Sequence, residues 1–234
     1  MTALLAFDTA GERMTVALAH GDRRWSQSEA GGSKASAGLV PAILDLLAEA
    51  GLGLADLDAI AFGRGPGAFT GLRTACSVAQ GLALGAGKPV LPIDSLLVVA
   101  EAARAGARTF QVWAAIDARM NQIYAAEYRF ADGRWATLAA PMLVDCAQLQ
   151  ARWQEAPPEA VAGDALSAFG ARLDTGAALR FPEARADAES LLALAASGWR
   201  DGAALDAALA LPLYVRDKVA QTTRERDAAR AALS

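Results

Sequence analysis

The sequence predicts an α/β protein built as two tandem halves, the second degenerate. Three observations carry this. An apolar run that ends in a carboxylate and returns as a hairpin occurs twice, at Ala3–Asp8 and at Phe110–Asp117. Each hairpin leads to a third strand and then to runs whose apolar residues recur at helical spacing. Between them lies a glycine-rich turn flanked by an apolar strand and an alanine-rich helix, Gly63-Arg64-Gly65-Pro66-Gly67-Ala68-Phe69-Thr70-Gly71-Leu72-Arg73.

In chain order, residues 3–8 form a strand, Thr9-Ala10-Gly11-Glu12 turns, and 14–19 return. Residues 23–29 are a more polar third strand, nearer an edge. The spacing of Leu39, Ile43, Leu46, Leu47 and Ala50 predicts a helix over 36–50, with Pro41 in its first turn or kinking it. Strand 59–62 enters the glycine turn, Thr70 is the expected N-cap, and a helix covers 72–86. A strand at 90–94 precedes a helix at 96–105, with Asp94 as its cap. Residues 106–109 mark a boundary, and the pattern restarts: strand 110–117, turn Ala118-Arg119-Met120-Asn121, return 122–128, and a third strand beginning near Trp135. A helix at 146–154, a strand at 160–164, a helix at 189–199 and an extended segment at 212–216 follow. The polar stretch 217–234 reads as a frayed helix or as disordered. The halves are thus 1–105 and 106–216. Duplicated three-strand meanders followed by helices point to two RNase-H-like halves, the architecture of the actin, sugar-kinase and Hsp70 superfamily.

Composition excludes several classes. With 22 Lys and Arg against 26 acidic residues, the net charge of −4 does not supply the clustered positive charge that wide contact with a phosphate backbone needs. One histidine, His20, and two cysteines, Cys76 and Cys146, exclude an ordinary zinc site, a disulfide framework and any Ser-His-Asp triad that does not use His20. No apolar run is long enough to span a membrane, and no signal segment precedes the first strand, so a cytoplasmic protein is expected.

Three features carry candidate chemistry. Gly63-x-Gly65-x-x-Ala68 matches the dinucleotide fingerprint, which would make the loop a phosphate cradle in an oxidoreductase. Pro66 removes one N–H, however, and no Gly-Lys-Ser/Thr follows, so a tightly packed strand–helix connection is the competing reading. Asp8, Asp94, Asp117 and Asp164 all end apolar runs. Such carboxylates can gather a cation and a nucleotide phosphate, and equally serve as turn formers and caps. Asp8 and Asp117 therefore leave open an independent nucleotide-dependent phosphotransferase or hydrolase. On the helix after the loop, Leu72, Ala75, Cys76, Ala79, Leu82 and Ala83 make a core stripe. Gly71, Thr74, Val78, Gly81 and Gly85 make a second, which either packs internally or admits another helix at close range.

The eleven-residue loop resembles the Gly-Pro-Gly-Ser-Phe-Thr-Gly-Leu-Arg signature of the bacterial TsaB (YeaZ) family, with Ala68 in place of the usual Ser. Phe7-Asp8-Thr9-Ala10, Ile116-Asp117-Ala118-Arg119-Met120 and Pro212-Leu213-Tyr214-Val215-Arg216 support the likeness. The resemblance implies a non-catalytic subunit of the machinery that makes threonylcarbamoyladenosine in tRNA. It implies a heterodimer with the catalytic paralogue TsaD, which transfers threonylcarbamoyl to the adenosine beside the anticodon, and a third, P-loop ATPase subunit, TsaE, bound across the pair. The partner face would use Leu39, Val40, Ile43, Thr70, Gly71, Thr74, Val78, Gly81 and Gly85, beside the loop residues Gly65, Pro66, Gly67, Phe69 and Arg73. The same face could serve a homodimer when the chain is alone. Asp8, Asp117 and Arg119 are the candidate nucleotide-proximal residues. No catalytic residue and no metal ligand of its own is implied: ATP or ADP and a metal would be held by partner subunits or at the shared interface. The stretch 33–41 lacks the histidines by which TsaD holds metal. Little direct tRNA contact, no membrane and no protease activity are implied.

Overall fold

The computed structural model of the chain describes residues 1–31 and 35–216. Strands β1 (Ala3–Asp8), β2 (Arg13–His20) and β3 (Arg23–Ala30) form an antiparallel meander. Helix α1 (Ala35–Ala50), strand β4 (Ala59–Gly65), helix α2 (Phe69–Ala86), strand β5 (Val90–Asp94) and helix α3 (Ser95–Arg104) follow. β4 joins β1 in parallel and β5 joins β4, giving the order β3-β2-β1-β4-β5. The second half repeats the plan with β6 (Phe110–Asp117), β7 (Ile123–Ala131) and β8 (Arg134–Val144), then α4 (Cys146–Glu155), β9 (Ala160–Ala162), α5 (Ala165–Phe169), β10 (Leu179–Phe181) and α6 (Ala188–Arg200). Its order, β10-β9-β6-β7-β8, is the same topology read from the other edge. The fold is two RNase-H-like lobes, and the degeneracy of the second is concrete: β9 and β10 have three residues each.

β1 is buried along its whole length, because it is central and both faces of its sheet are covered. Leu5, Phe7, Val16 and Leu18 pack on one face against Leu39, Ile43 and Leu47 of α1 and Ala75, Cys76 and Ala79 of α2. The other face carries the small side chains Ala6, Ala17 and Ala61. They receive Leu191, Leu192 and Ala195, which belong to α6 of the second half. Reciprocally, α3 of the first half lays Leu96, Val99 and Ala100 on the second sheet at Val112, Ala114 and Tyr128. The far face of that sheet is covered by Leu149 and Trp153 of α4 and by Leu166 and Phe169 of α5. The turn after Ala105 separates the two sheets in sequence, but each half lends its last helix to the other's core.

Several local expectations change. Helix α2 begins at Phe69, so its cap position is Ala68 and Thr70 lies inside the first turn. Asp94 occupies the cap position of α3 but makes no side-chain cap bond; its carboxylate instead accepts from Arg64 Nε at 2.5 Å. Pro41 sits inside α1 beyond its first turn, on the solvent side, where water can satisfy the carbonyl its ring leaves free. The short elements α5 and β10 have no sequence-level counterpart. The frayed or disordered reading of 217–234 lies outside the described residues, as do residues 32–34 of the stretch without histidines. Among the described residues no helix is long and apolar enough to cross a membrane.

Candidate functional site

The glycine loop closes on the first hairpin. Ala68 donates its N–H to the Ala10 carbonyl at 2.8 Å, and Thr9 Oγ1 donates to the Gly71 carbonyl at 2.7 Å. A Cβ on Gly71 would overlap the Thr9 carbonyl, and one on Gly63 would overlap the Asp8 carboxylate. At Gly67 it would stand 2.6 Å from the Ala10 oxygen, and at Gly65, whose φ is +108°, 2.7 Å from Leu72 Cδ2. Pro66 is buried in the same packing. The glycines are there so that the turn can press against β1 and β2. The tight-packing reading accounts for the loop: its glycines admit the hairpin, and the Ala68 N–H is spent on the Ala10 carbonyl rather than left for a phosphate.

The carboxylates are likewise engaged. Asp8 is 3% exposed. Its Oδ1 accepts the Ala10 N–H at 2.6 Å, and its Oδ2 accepts the Ser95 hydroxyl at 2.7 Å, tying the end of β1 to the start of α3. Burial pushes its pKa up, against the lowering effect of those hydrogen bonds. Asp164 accepts the Asp117 N–H at 2.8 Å, and burial raises its pKa too. Asp117 accepts the Arg119 N–H at 2.8 Å, and the Arg119 guanidinium reaches Asp117 at 3.1 Å and Glu12, on the other lobe, at 2.9 Å. Asp8, Asp117 and Arg119 thus do come together, on the walls of one inter-lobe cleft of about 710 Å³ that Asp164 and Arg185 also line. Among the described residues no group of three His, Cys, Asp or Glu side chains is placed to hold a metal.

The structure joins two motifs that the sequence presents separately. The segment 211–216 returns to the glycine loop: Leu213 donates its N–H to the Arg64 carbonyl at 2.7 Å. The Tyr214 ring lies 5.4 Å from that of Phe69, and Arg73 stacks its guanidinium 3.9 Å from the Phe69 centroid while donating to the Tyr214 hydroxyl at 3.1 Å. Arg216 then crosses to the second lobe, donating to the Ala118 carbonyl at 2.9 Å and to Gln122 Oε1 at 2.6 Å.

The second candidate surface is the outward face of α1 and α2, which lie side by side on one face of the first sheet. Ser36 and Thr74 share a hydrogen bond at 2.9 Å between the helices. Of the nine residues expected here, Val40, Thr70, Gly81 and Gly85 are exposed, and Thr74 and Val78 are half-buried. Leu39, Ile43 and Gly71 are corrections. Leu39 and Ile43 are fully buried under the sheet, and Gly71 faces Thr9, so none of the three offers a side chain or a gap to a partner. Beyond the backbone of their own helix, Gly81 and Gly85 have no atom within 4 Å of where a Cβ would stand. Leu44 and Leu84, 50% and 65% exposed, belong to this face but escaped the sequence reading. The signal was available: Leu44 follows Val40 by four residues and Leu84 follows Gly81 by three, both neighbour spacings on a helix.

A profile of the family described as "tRNA N6-adenosine threonylcarbamoyltransferase", TsaD, matches residues 32–200. The "tRNA threonylcarbamoyladenosine biosynthesis protein TsaB" of Escherichia coli is 34% identical over 221 residues, covering 93% of this chain and 96% of that protein. The protein of the same name from Haemophilus influenzae is 46% identical over 121 residues, 52% of this chain and 51% of its own. The solved structure of YeaZ from Pseudomonas aeruginosa superposes with a TM-score of 0.82 at 37% identity, covering 92% of this chain and all of that one. On a near full-length match in sequence and in fold, the chain belongs to the TsaB family.

Proposed function

We propose that this chain acts in tRNA threonylcarbamoyladenosine biosynthesis as a non-catalytic subunit, docking a TsaD-type paralogue through the outward face of α1 and α2 and thereby activating it. One observation carries the docking reading. Gly81 and Gly85 open onto empty space in the interior of a helix, where each costs about 1 kcal/mol relative to Ala, and they do so beside exposed Val40, Leu44 and Leu84. A gap left on purpose beside apolar side chains suits a second helix pair at short range. The engaged carboxylates and the filled glycine loop support a subunit that leaves the chemistry to its partner. ATP or ADP and a metal belong, on this reading, to the partner subunits or to the shared interface, with the P-loop subunit TsaE joining the assembled pair in the cytoplasm. The net charge of −4 fits a chain that leaves tRNA contact to others.

Light scattering on a sizing column, with the protein alone and then mixed with the paralogue from the same source, tests this. A one-to-one heterodimer is expected. A monomer or homodimer that persists unchanged at micromolar concentration, with and without nucleotide, overturns it and returns attention to Asp8 and Asp117 as agents of nucleotide chemistry.

A further inference from the structure

The segment 211–216 touches both candidate surfaces within a few residues. Just before it starts, the chain is pinned to α2: the Ala210 carbonyl accepts from Gln80 Nε2 at 2.9 Å and from Cys76 Sγ at 3.3 Å. It is pinned next to the end of β4 through Leu213, and then to the first turn of α2 through the stack of Arg73, Phe69 and Tyr214. Phe69, Arg73 and Thr74 also line a shallow recess on the outward face of α2, so this stack borders the proposed docking face. Two residues later Arg216 reaches the β6–β7 turn at the cleft.

That turn is under tension. Arg119, Met120 and Asn121 take φ values of +63°, +53° and +62°, three consecutive left-handed residues without a glycine. Such backbone persists only where its surroundings hold it. Here the external holders are Arg216 on the Ala118 carbonyl and Gln122, Arg172 on Asn121 Oδ1 at 3.0 Å, and Glu12 on Arg119. The Glu12 pair is largely exposed, so it contributes little. Arg216 makes three hydrogen bonds through a planar fork, the third to Met120 Sδ at 3.5 Å, and is the firmer link between the lobes.

We propose that the 211–216 strap couples the α2 docking face to the cleft. A partner covering Thr70 and Arg73 immobilises the Arg73–Phe69–Tyr214 stack, which fixes Arg216 on the 117–122 turn and holds the strained turn at the cleft wall. Docking and ordering of the cleft are then one equilibrium, biased from either end. The partner arm of this inference rests on the docking reading; the link between the stack and the turn does not.

Hydrogen exchange on the full chain separates the two. In the free protein, Tyr214→Ala should speed exchange of the Ala118, Arg119 and Gln122 amides about fivefold or more, although Tyr214 bonds to none of them. Unchanged protection at β1 and β2 in that variant shows an intact fold. With the TsaD-type paralogue bound, those three amides should slow about tenfold in the wild-type chain and stay fast in Tyr214→Ala. Exchange in the turn that ignores Tyr214→Ala in the free chain overturns the coupling. So does protection on binding that stops at α1 and α2. Failure of the paralogue to bind overturns the docking reading alone, because the free-chain comparison still decides the strap.

Discussion

Two sets of glycines in this molecule teach opposite lessons. Gly63, Gly65, Gly67 and Gly71 stand in the loop, and each has its missing side chain's place taken by an atom of the same chain. Gly81 and Gly85 stand further along α2 and face open space. In sequence the two sets merge: Gly71 and Gly81 even fall on one helical stripe. In space, the first set lets the fold close on its own hairpin, and the second leaves room for something outside. A glycine becomes evidence about function only when its would-be Cβ has been compared with its neighbours.

Substitutions that fill these places should divide along that line. The largest effect is expected at Gly71→Ala, where the new methyl meets the backbone carbonyl of Thr9 and cannot be accommodated by a side-chain rotation. A loss of about 3 kcal/mol in urea unfolding follows from overpacking against backbone. A loss below roughly 0.5 kcal/mol would show that the loop can slide off the hairpin.

Next comes Asp8, the carboxylate that the loop closes over. Its pKa is raised in the folded chain, so the folded state holds its proton more tightly than the unfolded state does. Wild-type stability therefore falls as pH rises from about 3.8 through the raised folded value, and the full penalty is present above it. Asp8→Asn carries no such charge. Its melting temperature relative to wild type should climb across that window and then level off. A gap that shrinks with rising pH would mean that Asp8 gains from ionising and is held for its charge.

The smallest effect separates the second set. Gly81→Ala adds a methyl in open space inside a helix, so the isolated chain should gain roughly 0.5–1 kcal/mol. The sign is opposite to that at Gly71, and a loss on thermal unfolding would place a neighbour where the structure has none.

Much of the architecture was legible in the sequence. Both hairpins, the third strands and α1, α2, α4 and α6 follow from period and turn chemistry, and the repeat of Phe7-Asp8 at Ile116-Asp117 discloses the duplication. The exchange of α3 and α6 between lobes was not legible. Each has one apolar stripe, and nothing in a stripe says which sheet it covers. The loop's purpose was hidden for a similar reason: its neighbours Thr9 and Ala10 lie some sixty residues away in sequence. Burial settled three of the nine expected interface residues against that role, since Leu39 and Ile43 belong to the very stripe that predicts α1. Tyr214 and Arg216 were visible as part of a motif, but the strap's span from one lobe to the other depends on where the chain returns.

The most direct test of the account is a calorimetric titration of the TsaD-type paralogue into wild-type protein and into Gly81→Leu, with melting temperatures measured alongside. The account predicts that Gly81→Leu melts at or above the wild-type temperature, because its Cβ stands in open space on an exposed face, yet binds at least about a hundredfold more weakly, roughly 2.7 kcal/mol. A stably folded Gly81→Leu that binds with wild-type affinity would place the partner elsewhere and contradict the assignment of this face.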